Sequence, residues 1–307
     1  MSEHATRVRR HAQDRTTHTS AVLCDDAQQA DFTFHRFAPG SGRLGILQVL
    51  IHGNSYDHRY WDADPVNGRE YSFVDHMVGL GYDVLAVDLP GAGPGRRPDA
   101  DGIGFAHLGE ALSSAVARFR AELGASTKVA LIGHSLGTIL AVYTQAWWPV
   151  ADAVVGTGVG FSSSLLPSPY GSGVRERLLL EPYANWPSDL RRQSFYHEPN
   201  ADPAMIEYDN DVLKTALPRR VWADSIAVRN DRDRAGLARI TCPVFIQLGE
   251  FDPVLPGEFA ETERNFWPHD VEVTVEQLDG AGHCFNLHRN PQHGWNRIDA
   301  FLRAALR

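Results

Sequence analysis

The stretch LIGHSLG places Ser135 between Gly133 and Gly137, directly after an apolar run and before a segment of helical character. Glycines on both sides let the backbone make a tight turn that presents the hydroxyl, the strand-turn-helix context in which a Gly-x-Ser-x-Gly sequence carries chemistry. A serine hydroxyl is a poor nucleophile until a base takes its proton, and an imidazole base needs a carboxylate to orient it. Asp252 stands just past VFIQLG, and His283 just past VTVEQLDGAG. Loops at the carboxyl ends of parallel strands converge on one crevice, so the three side chains are expected to meet there, with Ser135 attacking, His283 moving protons and Asp252 holding the imidazole.

Neighbouring residues compete for each role. Glu250 falls nearer its strand end and Asp279 precedes the glycine turn, which suits both to surface or capping duty. His134 must point away for the turn to expose Ser135, and His288 and His293 read as solvated loop histidines. The negative oxygen of a tetrahedral intermediate needs donors. The backbone N–H of Leu136 supplies one, and that of Asn54, in the loop LIHGNSYDHRYWD, supplies the second.

The elements that would position these groups alternate in kind. AVLCDD and DFTFHRFAP suggest an opening hairpin, and GILQVLIHG is a continuous apolar strand of the sort buried on both faces. A helix near YSFVDHMVGL leads to the strand DVLAVDL. The helix FAHLGEALSSAVARFRAEL, ended by Gly124, leads to KVALIGHS, and GTILAVYTQAWW leads to ADAVVGTGVGF. Alternation of this kind predicts an α/β fold with a mostly parallel sheet flanked by helices. The rhythm breaks over 162–240, where Pro-started helices such as those at Trp186-Pro187-Ser188 and Asp202-Pro203 replace apolar strands. This segment is expected to be a helical cap inserted after the sixth strand. CPVFIQLGEFD, PGEFAETERNF, VEVTVEQLDG and a last helix from about His293 then resume the alternation. GTGVGF lacks the glycine spacing of a dinucleotide loop and reads as a strand beside the turn. The aromatic residues Tyr56, Tyr60, Trp61, Phe161, Trp186 and Trp222 are candidates to line an apolar pocket, with Trp61, Phe161, Trp186 and Trp222 taken as substrate-binding.

These residues resemble the α/β-hydrolase superfamily from about residue 30 to the end: HGN its oxyanion loop, VDLPGAGPG its glycine-rich turn, GHSLG its nucleophile elbow, and GEFD and GAGH its acid and base loops. GAGPGRR departs from the commoner Gly-x-Gly-x-Ser form of that turn, which bears on a neighbouring loop and not on the three reactive residues. The resemblance implies a core of residues 29–161 and 241–307. It also implies a serine hydrolase that opens an ester, lactone or thioester of a small apolar molecule through an acyl-enzyme, with neither metal nor cofactor. An acyltransferase, lyase or cyclase on the same scaffold is the rival within catalysis, and a non-catalytic ligand-binding receptor is the rival outside it.

Bulk properties agree with a small-molecule partner. With 307 residues the chain can bury a full core, and 29 basic against 38 acidic residues give a net charge of −9, which disfavours nucleic acid and anionic membranes. Of the basic residues only Lys128 and Lys214 are lysines, a bias that fits the GC-rich codons of a bacterial source better than a phosphate-binding task. Residues 1–28 begin with a polar stretch of mixed charge and no apolar core, and are expected to be a disordered leader. The three cysteines Cys24, Cys242 and Cys284 form no disulfide framework, which fits a cytoplasmic location, and no run is long and apolar enough for membrane insertion.

Overall fold

The computed structural model describes residues 12–23, 29–93, 96–166, 173–184 and 186–306. Eight strands form one sheet: β1 (Ala12–Leu23), β2 (Gln29–Pro39), β3 (Ile46–Ile51), β4 (Asp83–Asp88), β5 (Lys128–His134), β6 (Ala153–Thr157), β7 (Val244–Gly249) and β8 (Val273–Leu278). Their order is β1-β2-β4-β3-β5-β6-β7-β8. From β4 to β8 all neighbours run parallel, while β2 pairs antiparallel with both β1 and β4. β3, β4, β6 and β7 are buried at every position, the pattern of strands covered on both faces, and their apolar runs give them that place.

Helices cover this sheet. α1 (Phe73–Gly79) packs on α10 (Gln292–Ala305), and α2 (Phe105–Leu123) packs on α3 (Leu136–Trp147). α2 buries Phe105, Leu108, Leu112, Ala115, Val116 and Phe119, one stripe at helical spacing, and stops at Gly124 with φ 118°. α3 is buried on nearly every side, as its mostly apolar sequence requires of a helix held between sheet and neighbours.

Between β6 and β7 lie α4 (Val174–Leu180), α5 (Ser188–Phe195), α6 (Pro203–Tyr208), α7 (Arg219–Arg229) and α8 (Arg232–Ala235). The two Pro-marked helix starts hold: α5 begins after Pro187, and α6 begins at Pro203, with the Asp202 carboxylate accepting the N–H of Ala204. The last strand and helix also fall where the apolar pattern puts them. After α8, α9 (Ala260–Phe266) packs on β8.

The expectation of a disordered leader is corrected over residues 12–23, which form β1 in register with β2 from Ala12 opposite Pro39 to Leu23 opposite Gln29. Residues 1–11 and Cys24 lie outside the described residues. The stretch is polar but rich in threonine, a strand-forming residue, and an edge strand can stay polar because one side of it faces water. Its His18 ring meets Phe119 of α2 edge-on at 5.3 Å.

Candidate active site

Ser135 alone separates β5 from α3 and has φ 53° and ψ −120°. These are the angles of the first central residue of a type II′ turn, a position glycine normally holds. Around it the glycines permit backbone contact: a Cβ on Gly133 would lie 2.3 Å from the backbone of Gly137, and one on Gly137 would lie 2.2 Å from the carbonyl oxygen of Ile51 in β3. The N–H of Ser135 donates to Thr157 O of β6 at 2.8 Å and its carbonyl accepts Thr138 N–H of α3 at 2.9 Å, so the neighbouring strand and the following helix hold the turn. The GTGVGF stretch serves the same packing, since a Cβ on Gly156 would lie 2.4 Å from Thr138 Cγ2.

Asp252 and His283 come together because their loops zip along each other. Glu250 N–H donates to Leu278 O at 3.0 Å and Phe251 N–H to Ala281 O at 2.9 Å. A Cβ on Gly249 would lie 2.4 Å from Gly282 O. Asp252 is fully buried; its Oδ2 accepts from His283 Nδ1 at 2.9 Å and its Oδ1 from Val254 N–H at 2.8 Å. With Nδ1 as the donor, His283 Nε2 is left as an acceptor, the tautomer a general base requires. Glu250 and Asp279 take the minor roles expected: Glu250 Oε2 accepts Gly280 N–H at 2.8 Å, and Asp279 accepts from Gln277 on the surface.

His52 closes the last turn of β3. Its Nδ1 donates to Gly53 O at 2.8 Å and its Nε2 accepts Leu89 N–H at 3.1 Å, and burial lowers its pKa, so it ties this loop to the one after β4 as a neutral ring. A Cβ on Gly53 would lie 3.1 Å from Ser135 Cβ. Asn54 Oδ1 accepts the N–H of Ser55, which has φ 70°. The backbone N–H groups of Asn54 and Leu136 have no partner among the described residues.

One cavity of about 220 Å³ collects Ser135, His283, Asn54 and Leu136, together with Tyr56, His134 and an apolar wall that includes Ile139, Val159, Trp186, Phe195 and Trp222. The lining also includes the polar Ser163, Ser164, Arg229 and Asn230. Trp186 and Trp222 meet edge to face at 5.5 Å. Trp61 and Phe161 are corrected: neither lines this cavity. Trp61 packs edge-on against Phe73 at 5.2 Å, because the turn His58–Tyr60 directs it toward α1. Phe161 packs on Trp267 at 5.5 Å, where Glu263 of α9 accepts the N–H of both Phe161 and Ser162. Tyr60 stacks on His134 at 4.4 Å and is likewise core.

His134 packs its ring against Tyr60 and Thr157 and also lines the cavity. It is buried with its ring 4.9 Å from His283, and Nδ1 lies 3.1 Å from Thr157 Oγ1. Burial first, and then the neighbouring His283 and His52, hold its pKa well below the ordinary value, so it is a neutral wall of the cavity. His288 is corrected too: it is 2% exposed and fully engaged by backbone groups, whereas His293 is exposed as expected.

Two further groups had no signal in the sequence. Asp209, between α6 and α7, pairs with Arg191 of α5 at 2.5 Å, both fully buried, and accepts from Tyr196 at 2.8 Å and Tyr56 at 3.2 Å. His35, His58 and Asp88 are the one trio of potential metal ligands among the described residues. His35 and His58 each bond a different oxygen of Asp88, at 2.9 and 2.7 Å, and their rings stack at 3.6 Å. Each ring spends one nitrogen on the same carboxylate, so the trio reads as a hydrogen-bonded clip. Burial opposes ionisation of Asp88, but the two histidines outweigh it and hold the carboxyl well below the usual range.

This chain belongs to the alpha/beta hydrolase family, whose model matches residues 48–294. Among particular proteins, it is 27% identical over 243 residues to a pimeloyl-[acyl-carrier protein] methyl ester esterase of Aliivibrio salmonicida, covering 76% of this chain and 84% of that one. Its fold matches an esterase from Thermogutta terrifontis with a TM-score of 0.69 at 18% identity, over 94% of this chain and all of that one. It also matches a monoacylglycerol lipase of Paleococcus ferrophilus with a TM-score of 0.65 at 19% identity, over 89% and 99%.

Proposed function

We propose that the protein is a serine hydrolase that opens an ester, lactone or thioester of a small, largely apolar molecule through an acyl-enzyme on Ser135. The observation that carries this reading is the buried His283–Asp252 pair, 2.9 Å apart, with His283 lining the same cavity as Ser135. Ser135 Oγ attacks the carbonyl carbon while His283 Nε2 takes its proton, and the carbonyl oxygen becomes an oxyanion held by the N–H groups of Leu136 and Asn54. Collapse of that intermediate breaks the bond to the alcohol or thiol, which leaves with the proton from His283. Water then attacks the acyl-enzyme by the same steps in reverse and frees the acid and Ser135. Asp252 stays ionised throughout and stabilises the imidazolium.

Segment 162–240 acts as the cap in this reading, supported by Trp186, Phe195 and Trp222 in the cavity wall. Cys242 and Cys284 are buried free thiols and no helix among the described residues is long and apolar enough to cross a membrane, in keeping with work in a reducing cytoplasm. The esterase and lipase names of the relatives support ester bonds over other targets. The test is hydrolysis of p-nitrophenyl acetate, butyrate and octanoate by wild type and Ser135→Ala, with fluorophosphonate labelling of both. Turnover and labelling that vanish in Ser135→Ala are expected; equal labelling of both proteins would remove the assignment.

A further inference from the structure

We infer that His288 is a positioning residue that locks the base loop around His283 and fastens it to the inserted segment. The inference rests on the reading of His283 as the general base. Its geometry is independent of that reading. His288 Nδ1 donates to Cys284 O at 2.9 Å, and its Nε2 accepts the N–H of Gly282 at 3.0 Å. One ring therefore grips the residue before His283 and the residue after it. The same Nε2 accepts the N–H of His197 at 3.1 Å, which brings in the chain just beyond α5.

The two segments meet without slack. Cys284 N–H donates to Phe195 O at 2.9 Å, and a Cβ on Gly282 would lie 2.6 Å from His197 N. Phe195 lines the cavity and its ring stands 5.7 Å from that of His283. A displacement of the base loop is thus a displacement of a cavity wall as well. The bonds also fix the protonation state: an imidazole that donates at Nδ1 and accepts twice at Nε2 must be neutral. Burial, against the opposing bond to Cys284 and with the aid of His197, lowers its pKa from 6.5 to about 4, so the neutral form prevails near neutrality. The other titratable groups around it are Tyr196, whose ring lies 5.7 Å away, Cys284, and Asp279 and His293 across a neighbouring cavity.

The consequence lies in the chemical step. A base displaced by about 1 Å can cost on the order of 100-fold in rate while substrate still binds. His288→Phe keeps the ring volume and removes both polar atoms, and His288→Gln restores an acceptor near the Nε2 position. His288→Asn is too short to reach it. With p-nitrophenyl butyrate, His288→Phe should lower kcat by roughly ten- to a hundredfold with KM within about threefold of wild type, and His288→Gln should recover most of the loss. A folded His288→Phe enzyme with wild-type kcat, or a rise in KM equal to the fall in kcat, would overturn the inference. Should His288→Phe not fold, Gln against Asn decides: kcat near wild type for Gln and low for Asn supports the lock, and equal kcat removes it. A wild type with no Ser135-dependent turnover would sink the proposed function and this inference with it, whereas active wild type and equally active variants would sink this inference alone.

Discussion

Replacing Ser135 by glycine should make the protein more stable and wholly inactive. Ser135 adopts φ 53° and ψ −120°, and its side chain caps nothing in α3, so folding gains no hydrogen bond there to offset the backbone strain. A non-glycine residue held in such a region costs about 1–3 kcal/mol, and glycine returns about 0.5–1 kcal/mol of that through its freer unfolded chain, leaving a gain of roughly 0.5–2 kcal/mol. For a chain of 307 residues the unfolding entropy is about 0.6 kcal/mol per kelvin, so Tm should rise by about 1–3 °C. Ser135→Ala is the control, because it removes the hydroxyl, keeps the Cβ and therefore keeps the strain. Differential scanning calorimetry and urea midpoints on all three proteins test the difference. A Ser135→Gly protein no more stable than Ser135→Ala would show that the turn stores no strain at this residue.

The other outcomes follow from single contacts. Asp252→Asn should lower kcat by up to about 10⁴-fold in p-nitrophenyl ester assays with little change in KM, since an amide at 2.9 Å from Nδ1 favours the wrong tautomer. Trp186→Ala and Trp222→Ala should reduce kcat/KM for the octanoate by about tenfold or more, the worth of a few buried methylenes, and leave the acetate nearly untouched. Asp209→Asn strands the fully buried guanidinium of Arg191 and should cost about 3–5 kcal/mol in urea unfolding, even though neither residue touches the cavity.

The proposed reactive residues were legible because each follows a segment patterned as a strand, and a strand end fixes where a loop begins. Ser135, Asp252 and His283 share that property, and the glycines beside the first explain themselves, since a Cβ on either would lie 2.2 to 2.3 Å from neighbouring backbone. Trp61 and Phe161 were not separable from Trp186 and Trp222 by type, since an aromatic ring is equally at home in core or cavity. What separates them is a tertiary anchor: Glu263 accepts the N–H of Phe161, and Glu263 is more than a hundred residues away in the chain. The end of β1 at Ala21–Leu23 was legible as one arm of a hairpin with β2, but its residues 12–20 escaped because apolar pattern is the strongest strand signal and this polar threonine-rich edge lacks one. Asp209 escaped for the opposite reason, since a lone aspartate in a polar helical stretch reads as solvated until Arg191, Tyr56 and Tyr196 close around it.

Histidine shows most clearly what sequence leaves undecided. His52, His134, His283 and His288 are all buried in or beside the loops that build the site, and nothing in residue type ranks them. Partners do. His52 and His288 spend both nitrogens on backbone groups, which makes them fixed neutral fittings. His134 places Nδ1 beside a threonine hydroxyl and packs between Tyr60 and His283, so a charge there would be desolvated with no carboxylate to meet it. His283 alone of the four has a carboxylate on one nitrogen and keeps the other unspent among the described residues. A base must gain and lose a proton in each half-reaction, and only a ring whose cationic form is stabilised by a buried anion can do so without leaving its place. In the proposed reaction the neighbouring neutral rings would contribute no competing charge, with His52 bonded to backbone beside Asn54 and His288 to backbone on either side of His283.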